Sequence, residues 1–267
     1  QDEYIAFGRQ FGELTIHPFA TSLPDHPELI VLDNDGDNPP LSTDQWHSDE
    51  MFREEPPAAT IIRSTIISPI GGDTLLASMT AAYDGLNPAL QEFYANLVAI
   101  NDFKVFRALY QGNYEGRKKL VEMEELFPNM AHPVVRVHPV SKKRLIYVSP
   151  QTTKYINGVR DFESEQVLQM LYQLPEVPEY QYRVRWAPNM IIIWDNRSTQ
   201  HYAPRDYLPH HRRMERLTVK GDKPFGIKKK IKSTIVEMNI RGTDKAENTG
   251  SHRKYLGRPA TTMTKKK

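Results

Sequence analysis

The chain has no cysteine in its 267 residues. This excludes disulfides and thiolate ligation and leaves only nitrogen and oxygen donors for any bound metal. No apolar run approaches the ~18 residues that a membrane span requires. The opening QDEYIAFGRQ lacks the charged, apolar and small-residue zones of a signal peptide. Neither a membrane nor export is indicated, and a cytoplasmic protein is the expectation. There is no internal repeat and no low-complexity stretch apart from a lysine-rich C-terminus.

What is present is an ordinary globular composition, 39% hydrophobic, 25% charged and 10% aromatic, in a chain long enough to bury one good-sized core. The net charge of +2 is unevenly placed: from Lys228 onward twelve Lys or Arg stand against three Asp or Glu, a local +9. Taken from the totals of 35 and 33, this leaves 23 and 30, or −7, for residues 1–227. We therefore divide the chain into a globular domain over 1–227 and a basic extension over 228–267. Such a tail suits nucleic acid, an anionic surface or a subunit contact. The near absence of aromatic residues favours a solvated or partner-packed extension, and nucleic acid is not the expected partner.

Local signals predict a short helix over 2–12, a strand at ELIVL and a turn-rich loop at DNDGDNPPLSTDQ. AATIIRSTIIS reads as a strand, and Thr80 is placed to cap a helix over AAYDGL. Asn87 and Pro88 open another helix over ALQEFYANL. The segment from Arg107 to Met130 is charged and irregular, either a lid or a surface insertion. VVRVHPVSKKRLIYVS reads as a hairpin turning at SKKR, Asp161 caps a further helix, and YQYRVRW, MIIIW and MERLTVKG complete the strands. Many short strands with a few helices outside predict a mixed α/β but mainly β fold, a sandwich or barrel of the jelly-roll kind.

The stretch WHSDE, Trp46 to Glu50, carries the chemistry. His47 and Asp49 are separated by one residue, so on extended backbone both side chains project to the same face. An imidazole and a carboxylate so placed fill two adjacent corners of a metal octahedron. Two His and one carboxylate, with the other positions open, suit non-haem Fe(II) and oxygen chemistry. His201, closing the stretch DNRSTQH about 150 residues later, is the candidate third ligand. Alone, a His-x-Asp tripeptide is common and is usually part of a solvated loop.

Five separated blocks raise its weight: WHSDEMF, PPAATIIRS, GGDTLLASMTAAYDGL, HPVVRVHP and WDNRSTQHYAPRDYLPHHRRMERLTVKGDKPF. In order and spacing they resemble the Fe(II)/2-oxoglutarate-dependent taurine dioxygenase (TauD/TfdA) family over roughly residues 4–226. The resemblance implies a double-stranded β-helix, or cupin-like jelly roll, with flanking helices. It places iron on His47, Asp49 and His201. It also implies O2 and 2-oxoglutarate as co-substrates, succinate and CO2 as co-products, and hydroxylation as the outcome. Arg212 matches the family's carboxylate-binding Arg for 2-oxoglutarate, and Thr74 of GGDT its hydroxyl partner. An Arg supplies the planar, permanently charged donor that a carboxylate wants. Its neighbour Arg213 faces the other way on a strand. Family members carry a longer opening segment before FGEL, so the resemblance also implies that this stretch is trimmed here or that early strands are lacking.

For the substrate, the resemblance places an anionic head group, taurine-like sulfonate or related, on His17 and Arg216. Ala20, Thr43 and Gln151 stand where the family's taurine enzymes have Tyr, Asn and Phe, which counts against taurine itself. KVFRALYQ, around Phe106, is similar to the aryloxyalkanoate-cleaving branch. Thr43 and Phe106 are therefore further substrate-binding candidates. Alternatives are the same chemistry on aryloxyalkanoates or alkyl sulfate esters, nucleic-acid demethylation suggested only by the basic tail, or a non-catalytic 2-oxoglutarate or small-acid sensor. A homodimer or tetramer is also implied. Glu215 either neutralises a cation or faces solvent. His132, His138, His210 and His211 read as structural or surface residues, and Trp186 and Trp194 as core.

Overall fold

The structure is a computed structural model that describes residues 1–41, 43–110 and 112–227, together with the backbone of Thr234–Ile235. The basic extension predicted over 228–267 otherwise lies outside the described residues. In chain order, α1 (Asp2–Arg9) is followed by β1 (Ser22–Leu23), β2 (His26–Asn34), β3 (Ala59–Ile66) and β4 (Thr74–Ser78). Then come α2 (Met79–Asp84), α3 (Pro88–Tyr94), β5 (Val98–Asn101), a 3-10 helix (Lys104–Tyr110) and α4 (Tyr114–Leu126). Strands β6 (Met130–Pro133), β7 (Val135–Val137), β8 (Arg144–Ile146) and β9 (Thr153–Ile156) lead to α5 (Asp161–Tyr172). The last strands are β10 (Gln181–Val184), β11 (Ile191–Asp195), β12 (Thr199–Tyr202), β13 (Arg212–Val219) and β14 (Thr234–Ile235).

A five-stranded sheet, β1-β2-β13-β3-β11, packs against a three-stranded one, β10-β4-β12, and every pairing in both is antiparallel. This is the jelly roll. The strand period of two sorts β13: Met214 joins Ile62, Trp194, Leu76 and Trp186 between the sheets, while Leu217 joins Ile61 under α1 on the outer face. Arg212 and Arg216 share the parity of Met214 and belong to the inner face. Arg213 has the opposite parity and pairs with Asp33. Glu215 is also outward, buried, and 3.8 Å from Arg63, so it neutralises a cation, but not its neighbour. A second core, built on Met79, Tyr94, Ile146 and Leu168, lies under α2, α3 and α5.

Several local expectations are corrected. The first helix stops at Arg9 rather than residue 12. Helix α2 is capped by Ser78, whose Oγ accepts the Ala81 N–H at 3.2 Å, not by Thr80, because Met79 is already buried as the first helical residue. Asp161 is the first residue of α5, and its cap position is Arg160, whose N–H is taken by Glu163 at 3.1 Å. The segment 107–130 is mostly helical, since the end of the 3-10 helix and all of α4 lie in it. No helix among the described residues is long and apolar enough to cross a membrane.

Candidate active site

Two backbone hydrogen bonds, His47 N–H to His201 O at 3.0 Å and His201 N–H to His47 O at 2.7 Å, make the two histidines an antiparallel pair. Side chains paired in this way project to the same side. Their ring centroids are 4.0 Å apart. Asp49, two residues beyond His47, places Oδ1 4.0 Å from Nε2 of each histidine. The three buried donors all lie within 4.8 Å of one another, and no other such group occurs among the described residues. His47 Nδ1 donates to the Gln45 carbonyl at 2.7 Å, which leaves the Nε2 lone pair directed at the group.

The surroundings fix both the geometry and the charge state. Asn196 clamps the ligand loop: its Oδ1 accepts the Asp49 N–H at 2.7 Å, and its Nδ2 donates to the carbonyls of Asp49 and Pro57 at 3.1 and 3.0 Å. Thr60 on β3 donates to Asp49 Oδ2 at 2.6 Å, and Arg216 Nη1 donates to Asp49 Oδ1 at 2.7 Å. Burial alone raises the Asp49 pKa, but Arg216, the two imidazoles and Thr60 outweigh it and hold the carboxyl well below the usual range. Burial lowers the pKa of His47, and burial with the adjacent His47 lowers His201 to about 3. Two neutral imidazoles and one ionised carboxylate form a nitrogen and oxygen donor set that fits a divalent transition metal.

The triad stands between two cavities. The inner one, about 70 Å³, is lined by Thr74, Arg212, Tyr207 and Met214 as well as both histidines. Arg212 Nε donates to the Gly72 carbonyl at 3.1 Å, and its guanidinium carbon lies 5.6 Å from the centre of the Tyr207 ring. Gly72 has φ +73°, and a Cβ there would stand 3.1 Å from Arg212 Cδ, so glycine serves both the turn and the passage of the arginine. Burial lowers the Arg212 pKa, and no carboxylate among the described residues is within ion-pair distance of it. Thr74 Oγ1 accepts the Trp186 indole N–H at 3.1 Å, which leaves the hydroxyl proton free to be donated. Trp186 thus packs in the core, as expected, but also orients a site residue, which the sequence reading missed.

The outer cavity, about 550 Å³, is lined by His17, Thr43, Phe106, Gln151 and Arg216, with His47 and Asp49 at its floor. All four substrate-site candidates, His17, Thr43, Phe106 and Arg216, therefore meet around one space. Phe106 stacks on Phe19 at 4.8 Å and approaches His17 at 5.3 Å between ring centroids. The Thr43 carbonyl accepts the Ala203 N–H at 3.0 Å, which ties its loop to the strand that carries His201.

His17 Nδ1 accepts the N–H groups of Phe19 and Ala20 at 3.1 and 3.0 Å. Burial, aided by Arg216, lowers its pKa to about 3, so the ring is neutral and its proton sits on Nε2. His138 repeats this arrangement, with Nδ1 accepting from Val140 and Ser141 at 3.2 and 3.0 Å and Nε2 placed 2.9 Å from the Asp195 carboxylate. His132 meets the carbonyls of Met51 and Arg53, and His211 meets Asp33.

A jelly roll holding a buried two-histidine, one-carboxylate triad between two cavities defines the facial-triad class of metal-binding β proteins. The family described as "Taurine catabolism dioxygenase TauD, TfdA family" matches residues 1–218, and the chain belongs to it. It is similar to an alpha-ketoglutarate-dependent sulfonate dioxygenase of Saccharomyces cerevisiae, 34% identical over 236 residues, covering 84% of this chain and 55% of the relative. It is also similar to an alpha-ketoglutarate-dependent sulfate ester dioxygenase of Pseudomonas putida, 32% identical over 232 residues, covering 85% and 75%. Among solved structures, a taurine dioxygenase from Burkholderia xenovorans superposes with a TM-score of 0.73 at 32% identity, covering 88% of this chain and 78% of that one. The chain spans about half the length of two relatives, 55% of the S. cerevisiae protein and 45% of one from Schizosaccharomyces pombe.

Proposed function

We propose that the chain is an Fe(II)- and 2-oxoglutarate-dependent dioxygenase that hydroxylates a small anionic organic substrate, a sulfonate or sulfate ester. The observation that carries this reading is Arg212, a buried cation with no carboxylate partner among the described residues, lining the cavity it shares with His47 and His201. A buried charge calls for a counter-charge. In this reading the partner is the distal carboxylate of 2-oxoglutarate, bound by the Arg212 guanidinium and the Thr74 hydroxyl. His47, Asp49 and His201 hold the iron.

Fe(II) bound with 2-oxoglutarate and dioxygen supplies the oxidising power that puts one oxygen atom into a substrate C–H bond, with succinate and CO2 as co-products. The protein's part is placement. The Nε2–H of His17 and the Arg216 guanidinium take the anionic head, and the His138–Asp195 contact supports this role by showing the same histidine turn donating to an anionic oxygen. Phe19 and Phe106 wall the space, with Phe52 packed against both, and exclude water. The likeness to a sulfonate dioxygenase and a sulfate ester dioxygenase supports the substrate class.

Assembly into a dimer or tetramer belongs to the same reading. The edge strand β11, with Ile191 and Ile193 41% and 38% exposed, supports it, and sedimentation measures it. The activity test is succinate release from 2-oxoglutarate with a panel of alkyl sulfonates, alkyl sulfate esters and aryloxy acids, in the parent and in R212K. Substrate-stimulated succinate in the parent, sharply reduced in R212K, supports the reading. Binding of 2-oxoglutarate with no succinate from any member would make the protein a sensor.

A further inference from the structure

One acceptor in the wall of the outer cavity has no partner. Glu50 follows Asp49, lines the same space as His17 and Arg216, and is 3% exposed. Its Oε2 takes the Arg53 Nε–H, while Oε1 is buried with no hydrogen-bond partner. The backbone there is also unusual, since Glu50 has φ 53°, in the left-handed region that a non-glycine residue enters at a cost. The Arg53 N–H, bonded to the Glu50 carbonyl at 3.0 Å, closes the turn that holds it.

We propose that Glu50 is a specificity-determining residue whose Oε1 receives an N–H or O–H donor carried by the substrate a few bonds from its anionic head. This rests on the dioxygenase reading for the identity of the head group, but it adds a second recognition point. His17 Nε2–H and Arg216 offer only donors to the substrate, and both Asp49 oxygens are engaged, Oδ1 by Arg216 and Oδ2 by Thr60. A plain alkyl chain against Glu50 leaves a buried acceptor unmet, whereas an amino or hydroxyl group satisfies it. Sites built around such a bond reject analogues that lack it.

The pair with Arg53 makes the substitution Glu50→Gln informative. Arg53 has only donors, so it holds the amide oxygen and puts the NH2 at the position of the unpartnered oxygen, and the free acceptor becomes a donor. The experiment measures calorimetric binding of butane-1-sulfonate and of its 2-, 3- and 4-amino and hydroxy derivatives to the anaerobic Fe(II)-loaded full chain. The parent is expected to bind at least one donor-bearing derivative about 10- to 100-fold more tightly than butane-1-sulfonate. E50Q is expected to lose or reverse that preference while keeping its affinity for 2-oxoglutarate.

Equal binding of all members by the parent would overturn the proposal, as would a preference that survives in E50Q. The comparison within the parent does not depend on the variant folding. Failure of the dioxygenase reading looks different: a protein that discriminates the derivatives but neither binds 2-oxoglutarate nor releases succinate.

Discussion

Arg216 donates from Nη1 to Asp49 Oδ1 at 2.7 Å, and the same oxygen stands 4.0 Å from Nε2 of His47 and of His201. The cation of the outer cavity and the carboxylate of the triad are therefore one bonded unit. Thr60 holds the other Asp49 oxygen independently, so the carboxylate keeps its orientation without Arg216. In Arg216→Gln we expect divalent-metal affinity within about threefold of the parent and a KM for the anionic substrate raised about 10- to 100-fold, the worth of a charge-assisted hydrogen bond. Chelator competition and steady-state kinetics measure the two. Loss of metal binding with substrate affinity intact would reverse the assignment.

The inner cavity gives a graded series. Arg212→Lys replaces a planar fork by a point charge and should weaken 2-oxoglutarate binding about 10- to 100-fold. Trp186→Phe removes only the indole N–H that orients Thr74, 3.1 Å away, and should weaken it about 3- to 10-fold. Because both changes act on one end of one ligand, the double variant should fall short of the product. Calorimetry with 2-oxoglutarate checks all three.

His132 predicts a pH-dependent stability unrelated to the site. It is fully buried, and burial lowers its pKa from 6.5 to about 4 against the help of its bonds to Met51 and Arg53. Below pH 6.5 the unfolded chain takes up a proton that the folded chain refuses until about pH 4. The contribution is thus fully present above 6.5 and is lost as pH falls toward 4, by on the order of 3 kcal/mol. Urea unfolding across this window should show a loss to which His17, His47 and His201, also lowered by burial, contribute. His132→Gln should remove only the His132 share and make the dependence shallower.

Asn87→Ala is the control for damage remote from the site. Asn87 Oδ1 accepts the Ala89 N–H at 2.9 Å and caps α3. Its loss should cost about 1 kcal/mol and lower Tm by about 2–4 °C, with 2-oxoglutarate affinity unchanged.

The strand period suggested only that His47 and Asp49 share a face; it was the five family-like blocks that marked them as ligands and brought in His201, whereas Arg212 was separable from Arg213 by the strand period alone. Other features depend on partners far away in sequence. Trp186 reaches Thr74 only because Val184 of β10 pairs with Thr74 of β4, a register that no local pattern states. The Glu50 pocket and the Asn196 clamp likewise come from loops meeting across the fold. Helix α4 read as irregular because none of its 13 residues is buried, so it carries no strong apolar period. The start of α2 was misplaced because the buried Met79 draws the helix back to Ser78.

The central claim is that His47, Asp49 and His201 hold iron beside a 2-oxoglutarate site built on Arg212. The most direct measurement is anaerobic addition of Fe(II) and then 2-oxoglutarate, recording the weak visible charge-transfer band of the chelate in the parent, in His47→Ala and in Arg216→Gln. The account predicts a band in the parent and in Arg216→Gln, and none in folded His47→Ala. A folded parent with no band, or a band that survives the loss of His47, would contradict it.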